Sequence, residues 1–315
     1  MSEPRAQRST LYGYIAALIG VLLTATYPAM TRPSFVGNLS AADLLVLRVG
    51  VSAMLFAPYL AWKARKVPRQ LWVTGLPLSF FQGWGMAALV IVGLQLAPAS
   101  HSSSLGPGML STSVALLGFL LYGIRVERMQ SMGIALIVGG VILILTGSGA
   151  TLGTQLIGDV MFVMASAFGA FYLLSVQQKK LAPILAAAIV SVYSAVVVVP
   201  WYFLVPERHL ATSSAYEIVI QVFVQGILRG GVCFVALNYS IATIGSQRTS
   251  ILYALLPALG LVSSISIAAD PASWMDWGAV AIITAGVVMG TLARKGRKNE
   301  LQAPLPSEEP EPKRA

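Results

Sequence analysis

The sequence predicts an all-α integral membrane protein of ten transmembrane helices, built as two inverted five-helix repeats. Three observations lead to this fold class: the composition, the recurrence of long apolar runs, and the likeness between the two halves of the chain. Of 315 residues, 56% are hydrophobic and only 10% are charged, and the mean hydropathy is +0.76. A soluble domain carries about 25% charged residues. The composition therefore excludes an ordinary soluble protein.

Ten apolar runs are long enough to cross a bilayer, which takes roughly 20 residues per helix. Backbone that faces lipid must satisfy its own hydrogen bonds, so each run is expected to be helical. The predicted spans are Leu11–Met30, Leu44–Trp62, Leu71–Leu96, Ser103–Tyr122, Met132–Gly147, Leu156–Val176, Pro183–Val205, Ile218–Ile241, Ser250–Ala268 and Trp277–Leu292.

Lysine and arginine predict the orientation of these helices, because cytoplasmic loops carry an excess of both. With the N-terminus inside, fourteen basic residues fall in cytoplasmic segments, and the opposite loops hold only Arg32 and Arg208. Both termini are therefore expected in the cytoplasm, and the multi-pass chain in the cell inner (plasma) membrane. The net charge of +9 is assigned to loop anchoring, so no nucleic-acid partner is predicted. The fourteen residues are Arg5, Arg8, Lys63, Arg65, Lys66, Arg69, Arg125, Arg128, Lys179, Lys180, Arg294, Lys295, Arg297 and Lys298.

The two halves of the chain align at an offset of 145 to 146 residues, which for example sets Tyr27 against Tyr172 and Gly85 against Gly231. The alternative is chance similarity between apolar sequences. Each half holds five predicted helices, an odd number, so the second half must enter the membrane inverted. Inverted repeats are a transporter architecture, with the substrate site near the midplane between the repeats. The predicted divisions are a cytoplasmic segment 1–10, a first repeat 11–148, an inverted second repeat 155–293, and a disordered, Pro- and Glu-rich cytoplasmic tail 296–315.

Short motifs stand in a fixed order along the chain. They are Leu47-Arg48-Val49, Leu96–His101, Leu105–Gly108, Glu127-Arg128 followed by Gly133 and Gly140, Gly245–Arg248, and Leu255–Ala258. In order and spacing they resemble the motifs of the EamA-domain proteins of the drug/metabolite transporter superfamily, over about residues 11 to 293. The resemblance implies a transporter and favours efflux as its direction.

Two positions depart from the pattern of the resembling family. An acidic pair expected between helices 9 and 10 is replaced by Asp270-Pro271-Ala272-Ser273, and a proline usual in helix 4 is Ser111. The lost pair lies in a loop and should matter little. Ser111 removes a helix distortion from a helix that is expected to line the pore, so gating is the property it affects.

Arg229 is the main candidate for substrate binding, because an ionisable group inside the membrane is a functional candidate by default. It follows Glu217 by twelve residues, which at 1.5 Å per residue places it roughly 18 Å deep, near the midplane. The resembling family usually has a small residue here, which favours a substrate role over packing within the bundle. Gln225, four residues earlier, is expected on the same helix face. Tyr27 and Tyr172, at matching repeat positions, either line the same cavity or are core aromatics.

The repeat alignment also places Arg229 opposite Gly83, and Trp84 opposite Gly230, across the pseudo-twofold axis. A glycine opposite a large side chain leaves room for a ligand, and Trp84 offers a broad apolar wall. Gly83 and Trp84 are therefore further candidates for substrate binding. The alternative is close helix packing through small residues.

Five further residues are candidates for gating or for the transport pathway: Arg48, His101, Pro107, Ser111 and Pro257. Arg48 lies a few residues into helix 2, where its alternative is to snorkel to the interface. His101 begins helix 4, and an ordinary loop histidine is its alternative. Pro107 frees backbone carbonyls that need protein or water, which favours a cavity-facing helix.

The sequence-based function is secondary transport of a small metabolite, an amphiphilic amino acid or carboxylate, by alternating access. The alternative is a membrane protein that does not transport, either an intramembrane enzyme or an assembly scaffold. An enzyme would need a nucleophile with a base, paired acids or a metal cluster, so no catalytic residue, metal site or cofactor is predicted. The single cysteine, Cys233, excludes an internal disulfide framework. The expected partners are the lipid bilayer and a small-molecule substrate, and the oligomeric state is left open between a monomer and a homodimer.

Overall fold

The computed structural model describes residues 3–67, 69–123, 126–147, 153–178, 183–244 and 246–302, and every regular element within these ranges is helical. Two π-helical segments interrupt the series of α-helices: the first π segment, Ser79–Trp84, and the second π segment, Val222–Val232. Short 3₁₀ turns follow α1 and α2. The α-helices are α1 (Glu3–Thr31), α2 (Ala41–Lys63), α3 (Arg69–Leu78), α4 (Gly85–Leu96), α5 (Ala99–Tyr122), α6 (Arg128–Gly147), α7 (Thr154–Gln178), α8 (Pro183–Tyr202), α9 (Ala215–Gln221), α10 (Cys233–Ile244), α11 (Ser246–Tyr253), α12 (Leu256–Ile267) and α13 (Trp274–Gln302).

Within the described ranges, eight helical stretches are long and apolar enough to cross a membrane, and they match the first eight predicted spans. Two shorter apolar stretches, Ile251–Ile267 and Trp274–Gly290, match the ninth and tenth. The all-α fold class is thereby confirmed. The third predicted span consists of α3, the first π segment and α4, and the eighth consists of α9, the second π segment and α10.

Three helix boundaries differ from the predicted divisions. Helix α1 begins at Glu3, so helical backbone enters the predicted aqueous segment 1–10. Helix α13 runs to Gln302 and so enters the predicted tail, of which residues 303–315 lie outside the described ranges. The ninth predicted span is divided between α11 and α12, because Pro257 lacks an N–H and is best accommodated in the first turn of a new helix.

Three helices begin with a reciprocal cap between a serine and an acid. At α2, one carboxylate oxygen of Asp43 accepts hydrogen bonds from the Ser40 N–H and hydroxyl at 2.8 Å each, and the Ser40 hydroxyl accepts from the Asp43 N–H. The same arrangement occurs within Ser214–Glu217 at α9 and Ser273–Asp276 at α13. Such capping boxes satisfy N–H groups that have no partner in the first turn. The acid also lies favourably at the positive end of the helix dipole.

The helices pack in pairs that are related by exchanging the two halves of the chain. Helix α2 packs on α8, and α6 packs on α13. Helix α4 packs on α7 as α10 packs on α1, and α5 packs on α7 as α12 packs on α1. The α2 contact with the second π segment is matched by the α8 contact with the first. This is the contact pattern that two similar repeats produce around a pseudo-twofold axis.

Helices α6 and α13 approach so closely that their backbones touch. A Cβ atom on Gly133 would lie 2.7 Å from the carbonyl oxygen of Gly286 and 2.9 Å from the nitrogen of Gly290. A Cβ on Gly140 would lie 3.0 Å from the carbonyl oxygen of Ala279. Because lipid is as apolar as a leucine side chain, helices associate in membranes through close van der Waals contact, which small residues allow. This glycine contact joins the last helix of each half.

Candidate functional site

A cavity of about 70 Å³ lies where α2, α8 and the two π segments meet, with one residue each from α7 and α10. Both halves of the chain therefore contribute to its wall. One water molecule needs about 10–15 Å³ of such volume, so the cavity has room for several waters or for one small ligand. The lining residues are Arg48, Val49, Ser52, Gln82, Gly83, Tyr172, Ala187, Val190, Ser191, Ser194, Arg229, Gly230 and Phe234.

Arg48 and Arg229 carry the positive charge of this cavity, and both contact Tyr27 of α1. The guanidinium carbon of each lies 5.5 Å from the centre of the Tyr27 ring, within cation–π range. Arg48 Nη1 also donates a hydrogen bond to Tyr27 Oη at 3.0 Å. Arg229 Nη1 lies 3.9 Å from Cys233 Sγ, a weak acceptor, and its Nε is buried without a hydrogen-bond partner in the described ranges. Each guanidinium thus retains donors that a ligand could use.

Acidic residues are absent from the described lining of the cavity. The sequence holds no Asp or Glu at positions 44–126, 160–206 and 218–269, and these stretches contain every cavity-lining residue. Asp43 is fully buried and is occupied by its capping box and by Tyr202 Oη, which donates to it at 2.5 Å. In the part of the chain that the structure describes, neither cavity arginine forms an ion pair.

Each π segment sets a glycine against a serine of the opposite half. A Cβ on Gly83 would collide with Ser194 Oγ, and a Cβ on Gly230 would collide with Ser52 Oγ. Gly83 also leaves the helical region, with φ −90° and ψ −109°. These matching contacts pair Gly83 with Gly230, so the predicted pairing of Gly83 with Arg229 is wrong by one residue.

The error in register has a physical cause. The alignment assumed one nearly constant offset, whereas the two π segments have 6 and 11 residues and so shift the chain by different amounts. A π-helix closes i→i+5 hydrogen bonds and often occurs at functional sites. The corrected register places Gln82 opposite Arg229, and both line the cavity. The predicted pairing of Trp84 with Gly230 is wrong for the same reason.

The structure brings together four of the six residues predicted to bind substrate. Gly83, Tyr172 and Arg229 line the cavity, and the Tyr27 ring contacts the Arg229 guanidinium. Arg48, predicted for gating, lines the same cavity. These residues come from α1, α2, α7 and both π segments, so the site depends on the assembly of the two halves.

Gln225 lies in the protein interior and Trp84 is half-buried, and neither is among the lining residues. Gln225 is fully buried, and its Nε2 donates to Thr31 Oγ1 at 3.0 Å and to Gln221 Oε1 at 3.3 Å, which ties the second π segment to α1. These hydrogen bonds hold the Gln225 amide toward α1 and Gln221, so it does not join Arg229 in the cavity. Trp84 packs edge-to-face on Phe80, with ring centres 4.8 Å apart.

His101 lies outside the cavity, at the capped end of the bundle, where α2, α5, α7, α9 and α13 begin. Its Nδ1 is 2.8 Å from Asp159 Oδ1, and its Nε2 is 3.9 Å from Asp276 Oδ1. Both His101 and Asp159 are buried. An ion pair between Arg32 and Asp270, at 3.0 Å, closes the same end. His101 therefore belongs to a polar network that joins helix ends.

The other three candidates for gating lie in helix packing. Helix α5 continues through Pro107 without a break, and a Cβ on Gly108 would contact Ile283 of α13 at 3.0 Å. Pro257 is buried in the first turn of α12, and Ser111 is half-buried in α5. Pro107, Ser111 and Pro257 are not among the cavity-lining residues.

Sequence reasoning missed the serines of the cavity, namely Ser52, Ser191 and Ser194. A serine within a helix commonly bonds its own backbone, so its presence alone points to no site. Spacing offered a signal for Ser52, which follows Arg48 by four residues and so shares its helix face. Helix α8 has no charged residue in its described span that could have marked Ser191 and Ser194.

The lining suits a small anion with an apolar part. Two guanidinium groups, four hydroxyls and one amide supply hydrogen-bond donors, while Val190 and Phe234 supply apolar surface. Within the described ranges, no three His, Cys, Asp or Glu side chains come together to hold a metal ion. The donor set is therefore arranged for binding by charge and hydrogen bonding.

Comparison with known proteins identifies the family. Residues 11–146 and 156–292 each match the EamA-like transporter family, in agreement with the two repeats and with the motifs of the sequence. No curated protein matches the chain. One solved structure, described only as the crystal structure of a protein, superposes with a TM-score of 0.61 at 19% identity, over 91% of this chain and 98% of the other, and shows the same fold. Because the two matches together span nearly the whole membrane-embedded part, the chain belongs to the EamA-like transporter family.

Proposed function

We propose that this chain is a secondary transporter that exports an amphiphilic amino acid or carboxylate by alternating access at the cavity between its repeats. The observation that carries the proposal is Arg229, a guanidinium that lines this cavity without a carboxylate partner in the described ranges. Alternating access requires a site that both repeats share, and the cavity has that composition.

The energetics of an arginine inside a membrane support an anionic substrate. A central Arg costs about 2.5–3.5 kcal/mol even on insertion scales. A carboxylate that binds there replaces water with a charge-assisted contact, which can be bidentate. The apolar surfaces of Tyr172, Val190 and Phe234 would hold the rest of an amphiphilic molecule.

Reconstitution into liposomes tests this proposal. A thermal-shift screen of the purified protein against a metabolite panel selects ligands, and exchange of each labelled ligand across the liposome membrane then identifies substrates. We expect amphiphilic carboxylates to raise the unfolding temperature and to exchange. Exchange that is confined to cations and neutral compounds would exclude an anion site at Arg229.

The proposed topology has ten spanning helices, both termini in the cytoplasm and the protein in the inner membrane, with the capped end outside. The fourteen-to-two distribution of basic residues supports it. A reporter fused at the C-terminus is expected to give a cytoplasmic signal, and one inserted after Gly147 an external signal. A cytoplasmic signal from the second reporter would refute both the ten-helix count and the inversion.

Coupling to protons is expected to proceed without a buried acidic relay. Asp43, Glu217 and Asp276 are occupied as helix caps, and Asp159 is paired with His101, all at the capped end. No acid occurs in the sequence stretches that line the cavity. We therefore expect either facilitated diffusion, or coupling through the ionisation of the substrate or through His101.

Liposome transport with and without a pH gradient tests this expectation. The variants are Asp43→Asn, Asp159→Asn, Glu217→Gln and Asp276→Asn, with His101→Gln as the comparison, at equal amounts of folded protein. Downhill exchange controls for an intact pathway. If replacing any one of these four acids abolishes proton coupling and leaves downhill exchange intact, the transporter does use an acidic relay.

A further inference from the structure

Arg48 stands beside Arg229 as a second cation in the cavity. Both guanidinium groups contact the one Tyr27 ring at the same distance of 5.5 Å, so a single small molecule in the cavity can reach both. Both side chains are only half-buried, because they open into the cavity. Arg48 uses one donor on Tyr27 Oη. A guanidinium has five N–H donors, so most of those on Arg48 are left for a ligand.

Two cations face the cavity, and within the described ranges neither forms an ion pair with a carboxylate. Every described lining residue falls in a sequence stretch without Asp or Glu, so the described lining carries two positive charges and no negative one. Neighbouring like charges in a poorly solvated site repel, and each is destabilised by the loss of water. A monoanion compensates one guanidinium and leaves the other unpaired. A dianion compensates both.

The size of the cavity and its other lining residues favour some dianions over others. A cavity of about 70 Å³ admits a short molecule. Ser52, Ser191 and Gln82 can hydrogen-bond neutral oxygens, but the lining has no carboxylate to hold an ammonium group. An amino acid would therefore bring a third positive charge into the cavity. Each planar guanidinium can pair bidentately with one carboxylate, so a molecule with two separate carboxylates can pair with both arginines at once.

We infer that the substrate is a short dicarboxylate without an ammonium group, one carboxylate on Arg229 and the other on Arg48. The inference rests on the proposed function, whose substrate it narrows, and it makes Arg48 the residue that determines specificity for a second negative charge. Arg48→Gln should remove the preference for a dianion and leave monocarboxylate binding at Arg229.

Three probes of equal chain length make the test. Succinate carries two carboxylates, succinamate replaces one with an amide, and butyrate replaces it with a methyl group. Binding of each to purified protein is measured by calorimetry, together with exchange in liposomes. We expect the wild-type protein to prefer succinate over both other probes by on the order of a hundredfold, as expected when one partner of a buried charge pair is removed. Inorganic phosphate should compete weakly.

Variants of Arg48 test whether this residue causes the preference for succinate. Arg48→Gln should bind succinate and succinamate with affinities within about threefold of each other. Arg48→Lys should restore part of the preference, since it retains charge without the planar fork. Arg208→Gln, at an exposed arginine outside the cavity, is the matched control and should behave like the wild-type protein. The comparison of probes on the wild-type protein tests the inference even if a variant fails to fold.

The outcomes separate the inference from the proposed function. The wild-type protein could bind succinate, succinamate and butyrate with equal affinity, and Arg229→Gln could bind none of them. That result overturns the preference for a dicarboxylate and leaves the proposed anion transport at Arg229 standing. Strong competition by phosphate without succinate binding overturns a site in which Arg48 and Arg229 each bind one carboxylate. Binding of none of these anions, together with an Arg229→Gln variant that transports like the wild type, overturns both.

Discussion

Arg229→Gln is expected to lower the affinity for a transported carboxylate by about 2–5 kcal/mol, the loss seen when one partner of a buried charged pair is truncated. The amide or ester of the same ligand should lose far less, because it has no charge to pair. Arg229→Lys should weaken carboxylate binding without abolishing folding, since it keeps the charge and loses the planar fork. Titration of both variants with the charged ligand and its neutral analogue measures the difference.

The control for this result is the neutral analogue itself. Arg229 also contacts Tyr27 and Cys233, so its replacement changes the packing of α1 against the second π segment. A packing defect should weaken both ligands alike. Equal losses for charged and neutral ligands would therefore assign Arg229 to the structure of the bundle and not to the substrate.

Gly133→Leu is expected to destabilise the protein by about 3 kcal/mol or more, at the upper end of the range for overpacking. At this position the obstructing atoms belong to the backbone of Gly286 and Gly290, which cannot rotate away as a side chain can. The new side chain would force α6 and α13 apart. Thermal unfolding in detergent, followed by the loss of monodisperse protein, measures the effect.

Gly139→Leu provides a matched control on the same helix. Gly139 is exposed, and a Cβ there would meet nothing within 4 Å. The Gly139→Leu variant should therefore retain the wild-type unfolding temperature, because the leucine faces lipid. Similar unfolding temperatures for Gly133→Leu and the control would show that the backbone contact between α6 and α13 does not stabilise the fold.

Periodic and compositional features of this protein could be predicted from sequence. Lipid imposes helical backbone wherever the chain is apolar, so eight spans and the two shorter ones fall where the hydropathy places them. The repeat could be recognised because residues such as Tyr27 and Tyr172 occupy matching positions in structurally similar halves. Arg229 could be selected because a charge is rare and costly at that depth.

Contacts that depend on tertiary packing could not be predicted. A π segment arises when an inserted residue is accommodated by neighbouring helices, and the sequence around Gly83 and Gly230 gives no local signal of it. The hydrogen bond from Gln225 to Thr31 of α1 is likewise a long-range contact. The contact between His101 and Asp159 joins residues 58 apart, which no local pattern encodes. The cavity serines could not be predicted because serine is common in helix packing and its presence marks no site.

The contacts of α1 with the second π segment bear on how the protein is made. Arg229, Gln221 and Gln225 give this late span an unusual load of polar groups, which opposes its release from the insertion machinery into lipid. Their partners, Tyr27, Met30 and Thr31, lie on α1, which is synthesised about two hundred residues earlier. Helix α1 is therefore already in the membrane when the eighth span is made, and it supplies the hydrogen-bond and cation–π partners that this polar span needs. Insertion of the second half thus depends on a surface of the first.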